Sequence, residues 1–290
     1  MTIPGLVRKR TSLFNYLLRY VRDELARRSA LARRRKAIWP AILLAVLVSQ
    51  SGCARPWDEL TGEEKRTLRG VLEHWETWVP ARKAEGTAPL MTFDELYSGL
   101  EPAGRRFLDR VRAVNPKKDF GFRGNYLGGP DEGVSFKRIE EQWITKKGKS
   151  EKLDPQYLPE DVFEAFEKMM QAMERDLGKR LLVESGFRSH AYQLYTYLYY
   201  LPKHHYSLIE TGHWVAFPGW SEHGAPRRQA IDFINQEGIN GEDNVEEFER
   251  LPEYEWLQKN ANRFGFELSY PRGKSGITFE PWHWRYSQPR

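Results

Sequence analysis

The chain has a single cysteine, Cys53, so no disulfide can form within the residues that follow it. It has no apolar run near the ~20 residues that a membrane-spanning helix needs, and the run at 37–48 is too short for one. Gly128-Gly129 is followed by no Gly-Lys-Ser/Thr, which excludes a phosphate loop there and leaves a tight turn. An excess of basic charge is missing past the N-terminus. Residues 1–36 hold eleven Lys or Arg against Asp23 and Glu24, and residues 37–52 hold no charge at all. From Cys53 onward, 34 basic residues face 38 acidic ones. The net charge of +5 therefore belongs to the N-terminus, and a nucleic-acid partner is not expected.

What is there begins with that N-terminus. Arg33-Arg34-Arg35-Lys36 precedes the apolar run at 37–48, and Ser49-Gln50-Ser51-Gly52-Cys53 follows. A basic segment, an apolar core of about 7–15 residues and small residues at its end describe an export signal. A cysteine directly after Ser-Gly resembles a bacterial lipoprotein signal, in which Cys53 would be lipidated. The alternative is an uncleaved anchor. Residues 1–30, with Phe14, Leu17, Leu18, Val21 and Leu25 at helical spacing, read as a basic amphipathic helix on a membrane face or as an upstream extension. The expectation is an exported, periplasmic, membrane-anchored protein.

Hydrophobic content of 40% with 13% aromatics is enough for a core, and 290 residues can hold one or two domains. Residues 54–115 read as helical. Thr61 with Glu64 forms a capping box ahead of Leu68, Val71, Leu72, Trp75 and Trp78, and Pro80 closes that segment. Thr92 with Glu95 repeats the signal ahead of Leu96, Leu100, Phe107, Leu108 and Val111. This is a small helical lobe with no visible chemistry. Residues 115–155, rich in glycine, lysine and aspartate, read as loops around short strands such as 134–136. A helix over 160–177 carries Phe163, Phe166, Met170, Met173 and Leu177 on one stripe, and Gly178 ends it. Short strands follow at 181–183, 230–234, 266–268 and 283–286, separated by helices at 189–200, 244–248 and 252–264. The tyrosines between Tyr195 and Tyr206 read as a cleft wall or sheet cover. The fold class is α+β, a small, mostly antiparallel sheet flanked by helices, with an N-terminal helical region. Residues 1–52 form a targeting segment, 53–154 the helical and loop region, and 155–290 the domain with the chemistry.

The chemistry gathers in two short segments. One runs Pro218-Gly219-Trp220-Ser221-Glu222-His223 and then Ala230-Ile231-Asp232; the other is Phe279-Glu280-Pro281-Trp282-His283-Trp284-Arg285. Two histidines, an aspartate and a further carboxylate are the parts of a catalytic zinc site with three protein ligands and one open position. Asp232 lies mid-strand among apolar residues, where an unpaired carboxylate is costly. A competing reading pairs Asp232 with Arg227 or Arg228 and Glu280 with Arg285, and packs His283 between Trp282 and Trp284. Glu280 and His283, three apart, would face opposite ways on a strand, and Pro281 favours a bend that turns both to one side.

These segments resemble the zinc D-alanyl-D-alanine carboxypeptidases of the VanY type. The family pattern is Ser-Gly-Tyr-Arg-Ser, then Ser-x-His-x-x-Gly-x-Ala-x-Asp, then Glu-x-x-His. This chain has Ser185-Gly186-Phe187-Arg188-Ser189, then Ser221-Glu222-His223 with Ala230-Ile231-Asp232, then Glu280-Pro281-Trp282-His283, in the same order. The resemblance covers roughly residues 155–287. It implies the Hedgehog/DD-peptidase-like fold and one zinc ion held by His223, Asp232 and His283. It implies Glu280 as general base, Arg188 gripping a carboxylate or a developing oxyanion, and Ser221 and Gln193 positioning substrate. The implied activity is trimming of peptidoglycan stem peptides at terminal D-Ala-D-Ala. An L,D-carboxypeptidase, a dipeptidase, a crosslink endopeptidase and a non-catalytic wall-binding lipoprotein remain open. One departure is visible: Asp232 lies nine positions after His223, where the pattern has seven.

Overall fold

In the computed structural model, which describes residues 59–287 except 123, 130–132, 242–243 and 274–277, the first helix starts at its expected capping box. The expected targeting segment and Cys53 lie outside the described residues. The Thr61 hydroxyl accepts from the Glu64 N–H, and the Glu64 carboxylate accepts from the Thr61 N–H, at the head of α1 (Gly62–Glu76). Pro80 does not close the helical segment. It sits in the first turn of α2 (Val79–Ala84), where its missing N–H has no helical partner to lose. The second box heads only a short helix, α3 (Phe93–Tyr97), because Gly99 adopts φ +71° and Pro102 starts a new one, α4 (Pro102–Arg112). A single turn, α5 (Pro116–Asp119), follows.

Two small antiparallel pairs fill the glycine-rich stretch. β1 (Phe136–Ile139), two residues later than expected, pairs with β4 (Gln156–Pro159), and β2 (Trp143–Lys146) pairs with β3 (Lys149–Lys152). The β2–β3 hairpin turns at Lys147 and Gly148, both with positive φ. The long helix α6 (Glu160–Leu177) buries Phe166, Met170 and Met173 of the expected stripe together with Val162 and Met169, while Phe163 is only partly buried and Leu177 is exposed. Gly178 at φ +66° stops it. Then come β5 (Leu181–Ser185), α7 (His190–Tyr200), α8 (Leu208–Gly212), β6 (Ala230–Asn235), α9 (Val245–Glu249), α10 (Pro252–Asn260), β7 (Phe266–Leu268) and β8 (His283–Tyr286). The main sheet runs β5-β6-β8-β7, antiparallel throughout. The architecture is α+β.

Alternation along β6 and β8 divides the sheet into two faces. Ile231, Phe233, Trp284 and Tyr286 point into the core made with α6 and α10. Asp232 and His283 are cross-strand partners and therefore share the opposite face. At the other edge the Gln142 side chain imitates a strand: its amide accepts from the Val183 N–H at 2.7 Å and donates to the Val183 carbonyl at 2.9 Å. The pairing of β5 with β6 slips between Val183 and Ser185, just before the Gly186-Phe187-Arg188 turn.

The N-terminal helices have no core of their own. Leu68, Val71, Trp75, Leu96, Phe107 and Val111 share one cluster with Ala191, Leu194, Tyr195, Tyr197 and Leu198 of α7. The tyrosine-rich segment is thus the seam between helices, not a cover for the sheet. No described helix is long and apolar enough to cross a membrane.

Candidate metal centre

His223, Asp232 and His283 come together at the end of the main sheet, each offering a ligand atom within 4.8 Å of the others. His223 sits in a 3₁₀ turn, Glu222–Gly224, whose backbone is braced by the Ser221 hydroxyl. Its Nδ1 is 2.8 Å from the Gly186 carbonyl, which can only accept, so Nδ1 carries the proton. That leaves the Nε2 lone pair facing the site. Nε2 is 3.1 Å from Asp232 Oδ2 but has no partner of hydrogen-bonding geometry, although the atom is fully buried. An orphaned imidazole nitrogen beside a carboxylate and a second imidazole fits a metal of the zinc class, which takes nitrogen and oxygen donors together.

Glu280 reaches the site by the expected bend. The His283 N–H donates to the Glu280 carbonyl at 3.2 Å, closing a four-residue turn with Pro281 in its second position. The turn puts Glu280 Oε2 3.8 Å from His283 Nδ1. His283 Nδ1 also lies 2.8 Å from Asp232 Oδ1, while its Nε2 lies 3.2 Å from Glu222 Oε2. The extra residues between His223 and Asp232 form a second 3₁₀ turn, Pro226–Arg228, whose two arginines are exposed. A turn that bulges outward is a small entropic change, so the longer spacing does not separate the two ligands.

The two histidines differ sharply in charge. Burial and the Arg188 guanidinium push His223 down to about 4, so it is neutral at pH 7. Burial also opposes charge on His283, but Asp232, Glu222 and Glu280 outweigh it and raise the imidazole to about 10. Burial opposes ionisation of Asp232 as well, yet the two histidines hold it well below the usual carboxylate range. Glu222 is held at about 2 against its own burial by His283 and Arg285.

Arg188 follows β5. Its N–H donates to the His223 carbonyl at 3.0 Å, and its buried Nε has no hydrogen-bond partner. The next residue ties this turn to the N-terminal helices: the Ser189 N–H donates to the Pro89 carbonyl and its hydroxyl to the Met91 carbonyl. Ser221 is buried and caps the His223 turn. Gln193 is buried on α7, where its amide donates to the Ala216 carbonyl at 2.7 Å and its Oε1 has no partner. Asp232 meets the two histidines, Arg285 bonds Glu222 and Glu267, and His283 stacks edge-on against His223 and near Tyr270. Glu222 went unread in the sequence, and Arg285 was weighed there only as a partner for Glu280, whereas it bonds Glu222. The signal lay in a carboxylate directly before one ligand and a cation two residues after another, on the same strand face.

Residues 155–289 match the family model described as VanY, D-alanyl-D-alanine carboxypeptidase. YodJ of Bacillus subtilis (strain 168), which carries a provisional carboxypeptidase name, is 30% identical over 179 residues, 58% of this chain and 57% of that protein. A D-alanyl-D-alanine carboxypeptidase of Enterococcus faecalis is 43% identical over 76 residues, 25% of each chain. The match thus spans little more than half the length of the first of these relatives and a quarter of the second. Among solved structures, the LdcB LD-carboxypeptidase has 27% identity and a TM-score of 0.40, with 56% of this chain and 71% of that one covered. A zinc(II) complex of the D,D-pentapeptidase VanY from a VanB-type resistance cassette has 22% identity and a TM-score of 0.39, covering 57% and 86%. With its ordered blocks inside the matched span, the region 155–289 of this chain is similar to the VanY family, whose model is described as D-alanyl-D-alanine carboxypeptidase.

Proposed function

We propose that this chain is a zinc-dependent carboxypeptidase that trims terminal D-alanine from peptidoglycan stem peptides. The observation that carries the proposal is the convergence of His223 Nε2, Asp232 and His283 Nδ1, with Glu280 poised beside them. When bound, zinc would supply Lewis acidity, polarising the scissile carbonyl and making water easier to deprotonate. The protein residues do the rest. Gly186 fixes the His223 tautomer, and the neutral ring keeps its Nε2 lone pair available at pH 7. Glu280 takes a proton from the attacking water and returns it to the departing amine. Arg188, whose buried Nε has no hydrogen-bond partner among the described residues, holds the C-terminal carboxylate that defines a carboxypeptidase substrate. The turn at Glu280–His283 keeps base and ligand in register through Pro281.

The test is zinc content and D-alanine release from peptides ending in D-Ala-D-Ala, with L,D-linked peptides as the comparison. Glu280→Gln should keep its zinc and lose about 10²–10⁴-fold in kcat, the range of a removed general base. Turnover unchanged in that variant would overturn the mechanism, and release only from L,D-linked peptides would move the substrate assignment. A wall substrate also requires export, which the basic and apolar pattern before Cys53 supports. Recovery of the protein only from the cytoplasmic fraction would contradict that part.

A further inference from the structure

We propose that Glu222 is a positioning residue of the metal centre: it holds the Nε2–H of His283 and so aims the ring's Nδ1 at His223 and Asp232. The inference rests on the reading above, that these three residues hold a metal. Glu222 is 6% exposed, and its two oxygens have separate partners. Oε2 lies 3.2 Å from His283 Nε2, and Oε1 accepts from Arg285 Nη1 at 3.0 Å. Arg285 is itself fixed on its far side, where its Nε donates to Glu267 Oε1 at 2.7 Å. Glu267 is the cross-strand partner of Arg285 in the β7–β8 pairing, and Arg285 follows His283 by two on β8, so all three lie on one face. The result is an alternating row of charge, Glu267, Arg285, Glu222, His283, anchored in the sheet and ending on the metal ligand.

The row decides which nitrogen of His283 can ligate. Arg285 engages Oε1, which leaves Oε2 to accept from His283. A ring that donates through Nε2 keeps its lone pair on Nδ1 once a metal displaces the proton shared there with Asp232. Asp232 and Glu280 both stand at the Nδ1 side. Among the described residues, Glu222 is the carboxylate at Nε2. A carboxylate in this place, buried and fixed by a further cation, is how outer-shell groups orient metal-bound histidines. A glutamine of the same size would fail for a definite reason. Its oxygen would be held by Arg285, its NH₂ would face Nε2, and the ring would be driven to carry its proton on Nδ1, where the metal must sit.

The experiment measures zinc affinity of the full chain by chelator competition for the wild type, Glu222→Gln, Glu222→Ala and His223→Ala. Long-range proton–nitrogen spectra of the zinc-loaded wild type locate the His283 ring proton. The expected result is zinc bound by the wild type and absent in His223→Ala, with affinity about 10–100-fold weaker in both Glu222 variants. The His283 proton is expected on Nε2, protected from exchange and far downfield. Affinity within threefold of wild type in folded Glu222→Gln would overturn the positioning role, and so would a ring proton found on Nδ1. The wild-type spectrum decides the point even if the variants fail to fold. A wild type that takes up no zinc would instead sink the metal-peptidase reading, and the role of Glu222 with it.

Discussion

His283 is the residue where charge and fold are most tightly joined. It is 5% exposed, yet it stands among three carboxylates that raise it from its ordinary 6.5 to about 10 against the effect of burial. A group whose folded value is raised stabilises fully below its unfolded value, and the contribution is lost as pH climbs through the folded value. For His283 that window runs from about 6.5 to about 10. Asp232 and Glu222 are lowered, so their contribution is present above the ordinary carboxylate range and fades only in acid. The three groups share the same contacts, so theirs is one gain of up to a few kcal/mol, since each tenfold change in proton affinity on folding is worth about 1.4 kcal/mol. Zinc-free protein, prepared with a chelator, should therefore melt several degrees lower at pH 9 than at pH 6.5, since ~1 kcal/mol moves the melting temperature of a domain of this size by about 2–4 °C. Calorimetry at the two pH values checks this. A His283→Gln variant that keeps the same slope would show that the slope belongs to other groups.

At the scale of elements, the site depends on how closely β4 passes the turn after β5. The Phe187 N–H donates to the Tyr157 carbonyl at 2.7 Å, and a Cβ on Gly186 would meet that carbonyl oxygen at 2.4 Å. Gly186 also supplies the carbonyl that fixes His223. Gly186→Ala must therefore push the turn off β4 and carry the His223 partner with it. The expected outcome is a loss of about 1–3 kcal/mol, the usual range for an overpacked site, together with weaker zinc binding. Urea melts and chelator competition measure the two effects, and zinc affinity unchanged in Gly186→Ala would separate His223 from this turn. Part of this was legible in the residues. Caps at Thr61 and Thr92, the glycine stop at Gly178, alternation around Asp232 and the bend at Pro281 are local signals, and each element forms at or near its expected place. Pro80 misled because one proline can close a helix or open one, and only the packing of Val79 decides. Gln142 serving as a strand edge, Ser189 bonding Pro89 and Met91, and the Glu222–Arg285 pair join residues far apart in sequence. No local period carries such information.

At the scale of the whole described unit, the family match and the physical unit have different edges. The match begins at residue 155, yet the described compact unit already includes Glu59, bridged to Ser207, and Leu60 in the core. A cut at 155 removes β1 from β4, takes Gln142 from the edge of β5, and strips α1, α3 and α4 from α7. The side chains of that cluster left on the fragment include Leu194, Tyr195, Leu198 and Leu201, with Tyr195 losing its ring contact to Trp75. At about 1.5–3 kcal/mol for each large apolar side chain, the loss is on the order of 10 kcal/mol, comparable to the whole stability of a domain. The cut also frees the Ser189 turn that carries Arg188 next to His223. A fragment of residues 155–290 should therefore give no cooperative thermal transition and should aggregate through the exposed face of α7, while the full chain melts cooperatively. Circular dichroism and light scattering test this directly. A soluble fragment that melts cooperatively and binds zinc as the full chain does would show that the N-terminal helices are dispensable to both the fold and the site.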